Sequence, residues 1–134
     1  ALQPIEVEIE IDIVLPEAVG LGHVVCKLDA VYRRADRGGR IEIVDWKTGR
    51  PPRTAAQHEE RMLQLALYRL AYHKRYGIPL DDIDVALYYV ADDLVIRSDR
   101  AMTEAELVAQ WNEARAAEAV QSEPAERPVD PSAG

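Results

Sequence analysis

Two apolar runs, each closed by an aspartate and joined by a chain-reversing segment, constrain this chain more than any other feature. The first is Val24-Val25-Cys26-Lys27-Leu28, closed by Asp29; the second is Ile41-Glu42-Ile43-Val44, closed by Asp45. Between them lies Asp36-Arg37-Gly38-Gly39, which has the composition of a turn. If the turn centres near Arg37, an antiparallel hairpin sets Asp29 across from Asp45, with Cβ atoms about 5 Å apart. Two carboxylates that close repel unless a cation lies between them. Side chains on a strand alternate with period two, so Lys47 points the same way as Asp45. Carboxylate oxygens with water completing the shell suit Mg²⁺ or Mn²⁺.

The 134 residues suffice for one domain with a real core. With 48% hydrophobic and 30% charged residues, the composition is that of a soluble globular protein. No segment is long and apolar enough to span a membrane, and no secretory pattern is present. The single cysteine, Cys26, excludes an internal disulfide and any multi-cysteine zinc or iron–sulfur site, which fits a reducing, cytoplasmic setting. The net charge of -8 argues against a free-standing nucleic-acid binder. The charge is uneven, however: residues 47–75 hold seven Lys/Arg against two acids, and this basic stretch begins at Lys47. Alone, such a stretch is a helix with a solvated basic face.

Ile5, Val7, Ile9, Ile11 and Ile13 alternate with Glu6, Glu8, Glu10 and Asp12, the pattern of a half-buried strand. Further strands are expected at 24–34 and 40–47. Gly49-Arg50-Pro51-Pro52 breaks the sheet, and Thr54 is placed to cap a helix running to about Tyr76, with Gly77 ending it. Leu63, Leu67, Leu70 and Ala71 recur at helical spacing and form its expected apolar stripe, flanked by Ala66. Val85–Val90 reads as a strand buried on both faces, Asp92-Asp93 as a tight turn and 94–97 as a short last strand. Thr103 and Glu106 form a capping box for a final helix to about Glu118. The domain is thus expected over 5–118, with 119–134 a disordered tail or linker. The order is β-β-β-α-β-β-α, an α+β fold with a mixed sheet: an antiparallel meander, a crossover helix, then a strand returning parallel.

Gln64 and Tyr68 lie four apart, so they share one helix face. Taken alone they read as a helix flank, an aromatic at the core edge and a solvated amide. Beside Asp29, Asp45 and Lys47 they read as part of a site. Three blocks, Leu28-Asp29-Ala30-Val31, Ile43-Val44-Asp45-Trp46-Lys47-Thr48-Gly49 and Gln64-Leu65-Ala66-Leu67-Tyr68, together resemble the RecB-like branch of the PD-(D/E)XK nucleases. The likeness covers roughly residues 5–90. The wording around Asp-Trp-Lys-Thr-Gly looks most like nuclease domains at the C-terminus of UvrD/Rep-type bacterial helicases. The resemblance implies a restriction-endonuclease-like core in which Asp29 and Asp45 bind Mg²⁺ or Mn²⁺, with the carbonyl after Asp45 as a further donor. It implies that Lys47 activates water and offsets transition-state charge, and that Gln64 and Tyr68 position the substrate. The family often has an acidic ligand on the preceding strand, for which Glu8, and next Glu6, is the expected residue; the same Glu row also suits the wet side of an edge strand.

Three features depart from the family. Its upstream metal-binding His has no counterpart, since His23, His58 and His73 do not match that position. Cys26 stands where Gly is common two residues before Leu28-Asp29. The four-cysteine cluster of some relatives cannot form. The expectation is a fragment whose N-terminal helices belong to a parent protein, weakly active or inactive alone. Its function is expected to be metal-dependent phosphodiester hydrolysis in DNA, working with helicase motor domains of the same polypeptide or of a partner subunit. The alternatives are a non-catalytic DNA-end-holding or subunit-docking module of the same fold, and an unrelated α+β binding domain in which Lys47 merely snorkels from a strand.

Overall fold

Alternation shapes the first strand, but only over part of its length. The computed structural model describes residues 4–20, 22–98 and 101–126, and in it β1 spans Pro4–Val14. Ile11 and Ile13 are buried and Ile9 packs against them. At Glu8 the backbone turns to φ 50, a conformation uncommon for any residue with a Cβ. Pairing with the next strand keeps one register across Glu8 and shifts only between Pro4 and Glu6, but the inward positions change parity at the turned residue, from Glu6 to Ile9, Ile11 and Ile13. Ile5 and Val7, expected inside, are therefore exposed. Glu6 turns toward the main helix instead.

β2 (His23–Arg34) pairs antiparallel with β1, and β3 (Arg40–Lys47) antiparallel with β2. β4 (Ile83–Tyr89) returns parallel to β3, and β5 (Leu94–Arg97) closes the five-stranded sheet antiparallel to β4. The strand order follows the chain, so the mixed α+β architecture is the expected one. A parallel return needs a crossover, and α1 (Ala55–Tyr76) supplies it. The turn between β2 and β3 closes on Gly38 and Gly39 at φ 72 and 82, which residues with a Cβ rarely adopt.

Thr54 caps α1 as expected, in a reciprocal capping box: its hydroxyl accepts from Gln57 N at 3.1 Å, and Gln57 Oε1 accepts from Thr54 N at 3.3 Å. Gly77 ends the helix, its N–H bonding the His73 carbonyl. The buried face is rotated from the expected stripe. Leu65, Ala66, Tyr68, Arg69, Leu70, Ala71 and Tyr72 are buried, while Leu63 and Leu67 are only partly covered. Arg69 explains the rotation, because a buried guanidinium needs partners. Its Nε donates to the Ile83 carbonyl at 2.8 Å and its Nη1 to Ser98 Oγ at 3.2 Å. Apolar periodicity cannot show such an inward arginine.

α2 (Glu104–Glu126) starts at the expected capping box, with Thr103 N donating to Glu106 Oε1 at 3.0 Å. It is tied to the β1–β2 loop: Trp111 Nε1 donates to the Val19 carbonyl at 2.9 Å, and Asn112 bonds Val19 N and the Glu17 carbonyl. The helix passes its expected end at 118. The rest of the expected tail, 127–134, lies outside the described residues. On the sheet face away from α1, Glu42 is buried between Arg34 and Arg97, and Arg40 grips Asp84 with two bonds of 2.9 and 2.8 Å. Among the described residues no helix is long and apolar enough to cross a membrane.

The rotated face makes a prediction. Leu65→Ala, which empties a fully buried position, should cost about 3 kcal/mol in urea unfolding. Leu63→Ala should cost about 1 kcal/mol, because much of that side chain never leaves water. Equal costs would restore the stripe centred on Leu63 and Leu67.

Candidate active site

The hairpin register builds the site. Ala30 pairs with Val44 at the end of the ladder, and the next residue on each strand is an aspartate, Asp29 and Asp45, whose carboxyls come within hydrogen-bond reach of each other. At this step the Trp46 N–H donates to Asp29 Oδ2 at 2.8 Å. One aspartate is therefore held by backbone. The other is held by charge: Lys47 Nζ lies 2.9 Å from Asp45 Oδ2. Asp45 and Lys47 do share a face, and the intervening Trp46 projects to the other side, 44% exposed.

Asp45 is 6% exposed. Burial pushes its carboxyl up to about 6; a hydrogen bond with Asp29 and that residue's charge push the same way, and Lys47 pulls back. The ammonium approaches Oδ2 as an ion pair but off the hydrogen-bond direction, so this buried oxygen has no hydrogen-bond partner. The site is thus two carboxylates in contact, one cation short of balance.

α1 covers it. Tyr68 is buried, and burial raises its hydroxyl above the ordinary tyrosine range, followed by the charges of Asp45, Cys26 and Asp29. The phenol therefore stays protonated and stands in the field of both aspartates. Gln64 Nε2 donates to Tyr68 OH at 3.2 Å, and Gln64 Oε1 is buried without a hydrogen-bond partner. Both helix residues thus face inward, and the solvated-flank reading of Gln64 does not hold. Arg61, which the motif spacing did not single out, lies one turn before Gln64. Its Nε donates to Tyr89 OH at 3.1 Å, and Tyr89 is the β4 neighbour of Lys47. The signal for it was available: 61, 64 and 68 form one helical stripe.

Other candidates lie elsewhere. Val7 pairs with Ala30 and Ile9 with Leu28, so Glu8 stands across from Asp29 in register. Its side chain is nevertheless exposed. Among the described residues no three His, Cys, Asp or Glu are grouped to hold a metal ion, so Glu8 does not join the two aspartates in this arrangement. The kink at φ 50 that flips the strand's faces is the physical reason. Glu6 is engaged by α1, accepting from Tyr76 OH at 3.1 Å and Tyr72 OH at 3.4 Å. His73 bonds the Ile78 carbonyl, and His23 lies near Asp12. Burial pushes the Cys26 thiol up to about 11, which keeps it protonated and unreactive.

The donors present fit a divalent cation. Mg²⁺ is held by one or two carboxylates and keeps several waters. Asp29 and Asp45 supply two carboxylates, and Asp45 Oδ2, ion-paired with Lys47 but without a hydrogen bond, is a hard donor left with capacity for a cation. The sign of the pH dependence follows. A carboxyl whose folded pKa is raised costs folded-state stability as pH rises from the unfolded value, 3.8, through about 6. Asp45→Asn removes that cost. In EDTA the variant should melt about 4 °C above wild type at pH 7.5, roughly 1 kcal/mol. The gap should open between pH 4 and 6 and stay constant above. A gap that does not change with pH would show that Asp45 ionises normally.

The chain matches the model of the family described as the PD-(D/E)XK nuclease superfamily over residues 1–133. No curated protein matches it. A solved structure described as the crystal structure of SSO0001 is similar, at TM-score 0.48 and 14% identity, over 84% of this chain and 50% of that one. The chain thus spans about half the length of that protein. With the family match running nearly end to end, the chain belongs to the PD-(D/E)XK nuclease superfamily.

Proposed function

We propose that this chain is the RecB-like nuclease domain of a helicase–nuclease, hydrolysing phosphodiester bonds in DNA with Mg²⁺ or Mn²⁺. The observation that carries the proposal is the contact between half-buried Asp29 and buried Asp45, on adjacent strands of one hairpin, with Lys47 beside Asp45. A folding scaffold gains nothing from two carboxylates in contact; a cation site needs them. The helicase context rests on the wording of the Asp45-Trp46-Lys47-Thr48-Gly49 block.

A divalent cation held by Asp29 and Asp45 would polarise the scissile phosphate and lower the pKa of an attacking water. The chain's own groups do the rest. The Trp46 N–H fixes one oxygen of Asp29 and so orients the carboxylate. Asp45 must give up its proton for the site to load, and Lys47 favours that loss. Lys47 also offers its ammonium to the oxygens on which negative charge grows. Tyr68, kept protonated, is a donor toward the same anion, and Gln64 holds its hydroxyl. Water adds to phosphorus, the bridging oxygen leaves, and that oxygen takes up a proton.

A second reading, a non-catalytic DNA-end-holding or subunit-docking module, is favoured by one feature: no third carboxylate joins the pair among the described residues. The retained repelling pair weighs against it. The deciding assay uses this chain and its parent protein on labelled single- and double-stranded DNA, with Mg²⁺, Mn²⁺ or EDTA. The parent should cleave, and Lys47→Ala should slow it about a hundred-fold or more. Calorimetry with Mn²⁺ should show binding that Asp45→Ala abolishes and Lys47→Ala largely keeps, since lysine is no ligand. Full cleavage by the Lys47→Ala parent would refute the assignment.

A further inference from the structure

Several arginines in the described fold are spent on it. Arg34 and Arg97 hold Glu42, Arg40 holds Asp84, and Arg69 is bonded inside. Arg50, Arg53 and Arg61, like Arg33, Arg37 and Arg75, are engaged by no ion pair among the described residues, but the first three alone among these are gathered in one place. All three line one groove of about 390 Å³, between the loop after β3 and the first turns of α1. Pro51 and Pro52 form part of its wall, fixing the backbone there. Gln57 lines it too, with Oε1 committed to Arg53 N at 2.8 Å and Thr54 N, which leaves Nε2 as a donor. Glu60 is the one acid in the lining.

The groove adjoins the candidate active site by covalent and hydrogen-bonded steps. Arg50 follows Lys47 by three residues. Arg61 is held through Nε by Tyr89 OH, and Tyr89 pairs with Lys47 in the β3–β4 ladder. Fixing Nε orients the guanidinium and leaves both terminal nitrogens to make a fork, the geometry suited to phosphate. We propose that this groove binds backbone phosphates of the substrate nucleic acid beside the scissile bond, with Arg61 as the pre-oriented anchor and Arg50 and Arg53 as outer contacts. The proposal rests on the nuclease reading and adds to it a strand path: from the aspartate pair, past Lys47, into the groove.

The test separates binding from cleavage. Binding of a fluorescein-labelled single-stranded oligonucleotide to the whole chain is followed by anisotropy in EDTA, across a range of salt. Arg61→Ala, and the exposed double variant Arg50→Ala/Arg53→Ala, should flatten the log K against log salt slope by about 0.7 per arginine lost. Arg61→Lys should keep the slope while binding more weakly. Tyr89→Phe should also keep it and lose affinity a few-fold, because the anchor is no longer held. Arg37→Ala and Arg75→Ala, elsewhere on the surface, should change neither quantity.

An unchanged slope in both groove variants would overturn the proposal. So would an equal drop in the two control variants, or no binding by wild type at low salt. Failure of the nuclease reading looks different: no metal-dependent cleavage by the parent, with the arginine-dependent slopes intact. Cleavage by parent variants lacking the three arginines, at unchanged KM, would sink the groove and spare the catalytic assignment.

Discussion

The register of one hairpin underlies everything functional in this molecule. Strand faces alternate with period two, so a slip of one residue between β2 and β3 would send the aspartates to opposite sides of the sheet. Two devices hold the register. The turn closes on two left-handed glycines, with Gly39 N bonding the Arg34 carbonyl at 2.8 Å. Beneath it Arg34 reaches the buried Glu42, which a second arginine, Arg97, grips from β5. A buried carboxylate with two guanidiniums is costly to unpair, so a shifted hairpin would strand it. The charged face of the sheet therefore fixes what the opposite face presents to α1.

The site stands in contrast to that network. Glu42 is buried and matched; Asp45 is buried and mismatched, with one oxygen lacking a hydrogen bond and its proton held up to about pH 6. Both carboxylates lie on β3, three residues apart, in the same sheet. The difference is the company each keeps: two arginines, Arg34 and Arg97, for Glu42, and one lysine against a second carboxylate for Asp45. Stability favours the first arrangement. The second is the kind of local cost that sites carry when charge must be available to a ligand.

What was legible in the chain, and what was not, follows from the range of each interaction. The meander, the crossover and the parallel return came from apolar patterning and turn residues, which act locally. The approach of Asp29 to Asp45 was legible because a tight turn converts sequence distance into register. The rotation of α1 was not, since it depends on Arg69 finding the Ile83 carbonyl and Ser98, residues distant in sequence. The face change at Glu8 was hidden as well. Nothing in Ile5–Ile13 marks a left-handed residue, and unbroken alternation predicted Ile5 and Val7 inside and every glutamate outside. Glu6 instead meets the hydroxyls of Tyr72 and Tyr76. Arg61 was overlooked for a different reason. Its spacing from Gln64 was in plain view, but its importance depends on Tyr89, whose place beside Lys47 only the parallel ladder reveals.

A net charge of -8 sits uneasily with a polyanionic substrate, and the resolution is one of distance. At physiological ionic strength charges on the surface are screened beyond about 8 Å. A phosphate near Lys47 therefore responds to the groups around it, not to the acidic strand residues or to those of α2. Arg50, Arg53 and Arg61 lie in the basic stretch that begins at the motif lysine, and none is neutralised by an ion pair among the described residues. Three cations free of ion pairs thus gather in one groove a few residues from the carboxylate pair. The carboxylate pair calls for a cation and the arginine groove for an anion. A metal ion bridging to a phosphodiester satisfies both at once, so each half of the site makes physical sense only with the other.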